Sequence, residues 1–356
     1  MLRRIFYKNK AYIKLIGIPF ISTRFILELI GYLSQIFIPN PNYPSNFFDR
    51  GWNLTPFKFL DIWIRWDSGW YQSIVTQGYS QNLDVLNTQS NIAFFPMYPL
   101  LIKITSLFLI DFSNHSTLFA VFALFVSNFC FILGLIFILR IFEEIGITEN
   151  YKETVIWLFL LYPYGFFFSA AYSESVFLFF LALAFYFTIK QNWIMTTIAG
   201  MFLTLTRPLG VLVIGPIFVR YLISKNFRIK ILDIVLFSLI PLTLFSYFLF
   251  SFNLTGDFLA PMHIQSAWGR GFQLPWNTLR FPNMWIPVIN NFDIFFTFLS
   301  IALLIGYLFL KLPYSEWSIF SIVLVSSSLF TGMVHSNGRF TIVAIPMYLT
   351  MGELIR

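Results

Sequence analysis

The chain has 356 residues, 58% of them hydrophobic and only 11% charged, with a mean hydropathy of +0.74 and a formal charge of +7. Soluble domains carry about 25% charged residues, so there is no room for a large water-soluble domain. The continuous apolar runs also exclude the alternating pattern of a membrane β-barrel.

Apolar runs of about 20 residues recur from end to end, the length a helix needs to cross a bilayer. They predict an all-α polytopic membrane protein, one domain over 1–356. Spans fall near 15–38, 117–140, 153–169, 173–189, 194–206, 208–223, 231–253, 292–310, 316–333 and 339–355, about ten in all. The N-terminal stretch MLRRIFYKNK has the charge of a signal peptide. Its apolar continuation reaches Ile38 and no A-x-A site follows, so it reads as an uncleaved first span. Arg24 and Glu28, four residues apart on that span, read as a self-neutralising pair. The next segment, 39–116, is too long for a connector, and long loops are usually functional. Inside it, NIAFFPMYPLLIKITSLFLI (91–110) has two prolines in its first half and Lys103 in its middle. That suits an interfacial helix better than a span. Further on, Arg207-Pro208 splits 194–223 into two half-length helices that meet at depth, because proline lacks the amide donor.

With the N-terminus in the cytoplasm, most of the 23 Lys and Arg fall on the inner side, including the dense loop SKNFRIK. The net positive charge then reflects this bias and not a nucleic-acid partner. The loops 39–116 and 254–291 and the turn HSNGR (335–339) face the outside of the cell membrane. Cys130 is the single cysteine, so no intrachain disulfide forms, and His115, His263 and His335 are far apart. No cluster has metal-ligand spacing, and no metal or other cofactor is expected.

Chemistry is expected where charge interrupts the oil. IRWDSGWY (64–71) sets a carboxylate between two tryptophans. Trp63, Trp66 and Trp70 fall at i, i+3 and i+7 on one helical face, with Asp67 and Tyr71 an i, i+4 pair beside it. The spacing predicts a surface helix with its indoles in the headgroup layer, ended by Gly78-Tyr79. Asp67 reads either as a solvated acid in an aromatic belt or as a general base in a partly dry groove next to Arg65. In SAAYSES, Glu174 reads as a helix-start acid behind a Ser173 cap, as a functional acid near the membrane beside Tyr172, or as both. Arg207, in TRPLG, needs an anion: a carboxylate such as Glu174 or a lipid phosphate. The broken helix would add free backbone amides toward that anion. His335 and Arg339, in VHSNGRF, open the last span as interfacial snorkelling groups or as part of the same site. One base, one acidic group and several arginines beside a lipid-accessible groove are what sugar transfer from a lipid phosphate requires. The acceptor hydroxyl must lose a proton, and the leaving phosphate needs positive charge.

RWDSGWYQSIVTQGY, NIAFFPMYPLL, YPYGFFFSAAYSESVF and TRPLG, in that order over about 60–215, resemble the PIG-V-like mannosyltransferases, relatives of GPI mannosyltransferase II. That family belongs to the GT-C glycosyltransferases. The resemblance implies a GT-C-like bundle with interfacial helices in the first outer loop and Asp67 as the catalytic base. It implies inverting transfer of a hexose, mannose in this family, from a polyprenyl-phosphate sugar to a lipid-linked or extracytoplasmic acceptor. The partners are then donor, acceptor and membrane lipids, with no nucleic acid. Arg65, Trp66, Trp70, Tyr71, Tyr98, Tyr172, Glu174, Arg207, His335 and Arg339 are the expected substrate-binding residues. RPLG departs from the RSNG expected of eukaryotic members, so a GPI acceptor does not follow. A transporter or lipid flippase is the alternative. It would show related halves and polar groups at mid-membrane, whereas here no halves match and the polar groups cluster on one side.

Overall fold

In hydrocarbon a backbone must satisfy its own hydrogen bonds, and a helix does so within one segment. The computed structural model describes residues 12–37, 54–81, 84, 87–108, 111–112, 115–280 and 287–356, and every regular element among them is helical. The N-terminal basic stretch and residues 38–53 of the expected first span and first loop lie outside the described residues.

A π-helical turn, Ile13–Gly17, leads into α1 (Ile18–Phe37). After a single helical turn, Lys58–Asp61, come the short helices α2 (Asp67–Gln77) and α3 (Met97–Thr105). Helix α4 (Ser116–Glu144) has 29 residues, about 43 Å at 1.5 Å per residue. Next come α5 (Glu149–Leu161), α6 (Glu174–Ile189), α7 (Trp193–Thr206), α8 (Ile214–Ser224) and α9 (Ile231–Thr255). The chain closes with α10 (Pro287–Phe309), α11 (Ser315–Ser326), α12 (Asn337–Thr341) and α13 (Ile345–Ile355). Helix α6 packs between α4 and α7, and α7 continues the row to α9. Gly200 allows the last contact: a Cβ there would lie 2.7 Å from Ile240 Cδ1. Helix α10 packs on α11, α12 and α13, and α13 reaches α5.

The core is apolar, as in a soluble protein, but large apolar side chains also cover the outside and some acids lie within. Ile21, Phe25 and Leu29 of α1 and Val235, Leu242 and Phe245 of α9 point outward, while Glu174, Asp293, Ser175 and Thr297 are fully buried. Among the described residues, three helices are long and apolar enough to cross a membrane: Ser116–Glu144, Ile231–Thr255 and Asn291–Phe309.

Of the other expected spans, 153–169 and 339–355 are not single helices. The apolar helices Glu174–Ile189, Trp193–Thr206, Pro208–Ser224 and Ser315–Phe330 fall below spanning length. Helix α5 stops at Leu161, ahead of Pro163, and a 3₁₀ turn covers Gly165–Phe168. The expected final span 339–355 is two helices, because the chain turns at Ile342–Ala344 between α12 and α13. The segment 91–110 carries a 3₁₀ turn, Asn91–Ala93, and the nine-residue α3, less than half of what crossing needs. Arg207 is extended (φ −157°, ψ 147°) between α7 and a 3₁₀ segment, Pro208–Val213, so the predicted break is present.

Arg24 and Glu28 do not neutralise each other. Arg24 donates to the Leu160 and Gly165 carbonyls and to Ser169 Oγ, capping the end of α5, while Glu28 accepts from Trp63 Nε1 at 2.6 Å.

Candidate functional site

The site is assembled where the first turns of α2 and α6, the end of α7 and the short α12 meet. Asp67 opens α2, and its position depends on the residue before it. Trp66 has φ 46° and ψ −105°, a conformation that costs a non-glycine residue about 1–3 kcal/mol. The flanking backbone is pinned from both sides. Ala171 N donates to the Trp63 carbonyl (2.9 Å), Tyr172 Oη to the Arg65 carbonyl (2.8 Å), and Ser68 Oγ to the Ala171 carbonyl (3.1 Å). The SAAYSES segment thus holds the Asp67 turn.

Asp67 Oδ2 accepts from Arg339 Nη1 at 2.6 Å. The Asp67 side chain is 27% exposed, and Oδ1 has no hydrogen-bond partner among the described residues. Arg339 also reaches Glu174, with Nε 3.0 Å from Oε1, and Arg207 Nη2 lies 2.5 Å from the same oxygen. Glu174 is fully buried and its Oε2 has no hydrogen-bond partner among the described residues. The Phe340 ring lies 5.0 Å from each guanidinium, and Tyr172 lies 5.1 Å from that of Arg339. Aromatic faces so placed moderate the repulsion between two cations sharing one carboxylate. Gly210 secures the bend after Arg207, since a Cβ there would meet the Leu203 carbonyl at 2.5 Å.

Arg339 is held in turn by Asp293 of α10. Its Oδ2 accepts from Ser336 N, and its Oδ1 from Gly338 N (both 2.8 Å) and Tyr164 Oη (2.9 Å). Asn337 Nδ2 donates to Thr297 Oγ1. The HSNGR turn is therefore fastened to α10 through a buried acid. Arg270, in the loop after α9, donates to the His335 carbonyl at 3.1 Å. Burial, with Arg339 adding to it, pushes the Arg270 guanidinium down to about 10, and the nearby Asp67 and Asp293 oppose that shift. It stays charged at neutral pH. Burial also lowers His335, and its Nδ1 has no hydrogen-bond partner among the described residues.

Of the residues predicted from sequence, Asp67, Tyr172, Glu174, Arg207 and Arg339 come together, and His335 stands beside them through Arg270. Tyr71 is buried next to Ser173, edge-on to Tyr98 at 4.8 Å, and lines the floor. Other expectations are corrected. Arg65 is paired with Asp61 (2.6 Å), not with Asp67. Tyr98 is fully buried with its hydroxyl on the Ala123 carbonyl and Ser127, so it braces α3 against α4. The three tryptophans share no helical face, because the helix begins only at Asp67. Trp63 donates to Glu28, Trp66 is 51% exposed, and Trp70 stacks on Phe94 and meets Trp268 edge-on. Ser173 does not cap α6; its hydroxyl accepts from Arg207 Nε at 3.1 Å. Helix α2 does end before Gly78, at φ 80°.

Two residues were missed. Asp293 carries a readable signal, a lone acid inside an expected span. Arg270 carries none beyond its charge, because a loop contact 65 residues away in sequence sets its position.

The arrangement offers a carboxylate with one oxygen fixed by a guanidinium and the other unpartnered, among three arginines. It can accept a proton next to a place where negative charge is stabilised. Among the described residues no group of three His, Cys, Asp or Glu is placed to hold a metal ion. Comparison with protein-family models, with curated proteins and with solved structures finds no match to this chain.

Proposed function

We propose that the chain is an integral membrane glycosyltransferase that moves a hexose from a polyprenyl-phosphate sugar to a lipid-linked or extracytoplasmic acceptor. The motif resemblance supports mannose as that sugar. The observation that carries this reading is Asp67, with Oδ2 bonded to Arg339 and a side chain still 27% exposed. As the acceptor oxygen attacks the anomeric carbon, its proton passes to Asp67. The new C–O bond forms on the face opposite the phosphate. The old C–O bond breaks with its electron pair on the phosphate oxygen, so the anomeric centre inverts. Arginine charge favours that departing anion, and Arg339 fixes the base in place.

The membrane arrangement belongs to the same proposal: a GT-C-like bundle of about ten crossings in the cell membrane, with the N-terminus cytoplasmic and the site outside. In this arrangement the short helices α6, α7 and α13 cross as parts of broken spans. Irregular backbone at that depth is tolerated where it lines a site.

The test is incubation of the purified chain with a panel of polyprenyl-phosphate sugars and cell lipids, read by mass spectrometry. A hexose added to one lipid is the expected result. Labelled substrate entering vesicles with no product formed would replace this reading by transport.

A further inference from the structure

The sequence offers Arg207 and Arg339 as contacts for a lipid phosphate, but in the structure both are engaged. Arg207 is bound to Glu174 and Ser173, and Arg339 to Asp67 and Glu174. Moving either onto a ligand would strip charge compensation from Glu174, which is fully buried, and an uncompensated buried charge is costly.

Arg270 differs. Its guanidinium, which has five donors, makes one hydrogen bond among the described residues, to the His335 carbonyl, and no carboxylate there pairs with it. The ring of that histidine has a buried Nδ1 with no hydrogen-bond partner among the described residues. Two groups able to donate to an oxyanion thus stand at one turn.

Their position is fixed. Gly271 N and Gln273 N donate to the carbonyls of Thr331 and Phe330 (3.0 and 2.9 Å), and Gly332 N donates to Thr278 Oγ1 (3.2 Å). Trp268, two residues before Arg270, meets Trp70 of α2 edge-on at 5.7 Å. The loop after α9 is therefore fastened over the start of α2, within electrostatic reach of Asp67.

We infer that Arg270, with the His335 ring beside it, binds the phosphate group of a prenyl-phosphate lipid. The identity of that lipid rests on the transferase reading, while the oxyanion chemistry rests on the two unpartnered groups. A guanidinium fork and an imidazole N–H suit the oxygens of a phosphoryl group.

The experiment uses the full chain in lipid nanodiscs. Binding of polyprenyl monophosphate, unphosphorylated polyprenol and inorganic phosphate is compared for the parent, R270Q and H335Q, with melting temperature as the folding control. Polyprenyl monophosphate is expected to bind best. R270Q should weaken it about tenfold or more, the scale of a lost charged hydrogen bond, and leave polyprenol unaffected. An unchanged affinity in folded R270Q overturns the inference. So does inorganic phosphate binding as tightly as the lipid, which would assign the site to a free anion. Should R270Q not fold, H335Q carries the test: weakened lipid-phosphate binding supports the inference and unchanged binding overturns it. The two readings fail separately. Arg270-dependent binding with no transfer from any donor keeps this inference and removes the transferase. Asp67-dependent transfer with an unchanged donor KM in R270Q does the reverse.

Discussion

Two arginine–carboxylate clusters lie at the two ends of α11, and they are built differently. At its start, Arg220 donates through Nε and Nη2 to Glu316 Oε1 (2.8 and 2.6 Å), with the Tyr314 ring 4.1 Å from the guanidinium. Nearby, Tyr221 Oη donates to Asp233 at 2.7 Å. Each acid there has its own donor. Beyond the other end, Glu174 serves two arginines, Arg339 serves two acids, and Asp67 keeps an oxygen unpartnered. One cation and one anion in a closed pair make a fastening. A chain of shared charges that ends on a partly exposed carboxylate keeps a group available for a substrate. Arg–carboxylate contact alone does not mark a site; what distinguishes the second cluster is incomplete pairing at a junction of four elements.

Substitutions can break or sharpen that contrast. The largest effect is expected for D67N, which should lower hexose transfer by about 10²–10⁴-fold while the chain still folds and inserts. E316Q should leave transfer at the parent level. Equal losses in both would erase the distinction between the two clusters. Next is E174Q, which leaves Arg207 and Arg339 without their shared counter-charge and should destabilise the fold by about 3–5 kcal/mol, read by thermal unfolding in detergent. Between these and the weakest effect lies G338A. A Cβ at Gly338 would sit 2.2 Å from the Tyr164 ring, and such overpacking costs about 1–3 kcal/mol. Because the ring also bonds Asp293, the turn carrying Arg339 should shift, and transfer should fall along with stability. The smallest effect is that of S173A. It removes one acceptor from Arg207 and should cost about 1 kcal/mol, with a rate close to that of the parent.

The same contrast shows what the sequence could tell. Asp67, Glu174, Arg207 and Arg339 were legible because each interrupts an apolar stretch, and a charge in such a place needs a reason. The break at Arg207-Pro208 was legible from proline chemistry. The break before Asp67 was not, since neither glycine nor proline marks Trp66. It is imposed by hydrogen bonds that Ala171 N and Tyr172 Oη donate to the Trp63 and Arg65 carbonyls, more than a hundred residues away. The i, i+3, i+7 spacing of the tryptophans therefore described a helix that is not there. Partner choice was also hidden. Arg65 could be read beside Asp67, but the turn that follows the short helix Lys58–Asp61 brings it to Asp61. Span lengths were overread for a related reason: hydropathy does not register the turns at Leu161 and Ile342 that bring polar groups to the site.

The central claim is that the free oxygen of Asp67 takes a proton during transfer, and chemical rescue tests it most directly. In D67A, transfer from a polyprenyl-phosphate hexose should be lost and should return in a concentration-dependent way when formate is added, with the same anomeric product. Transfer at the parent rate in D67A without formate would contradict the account.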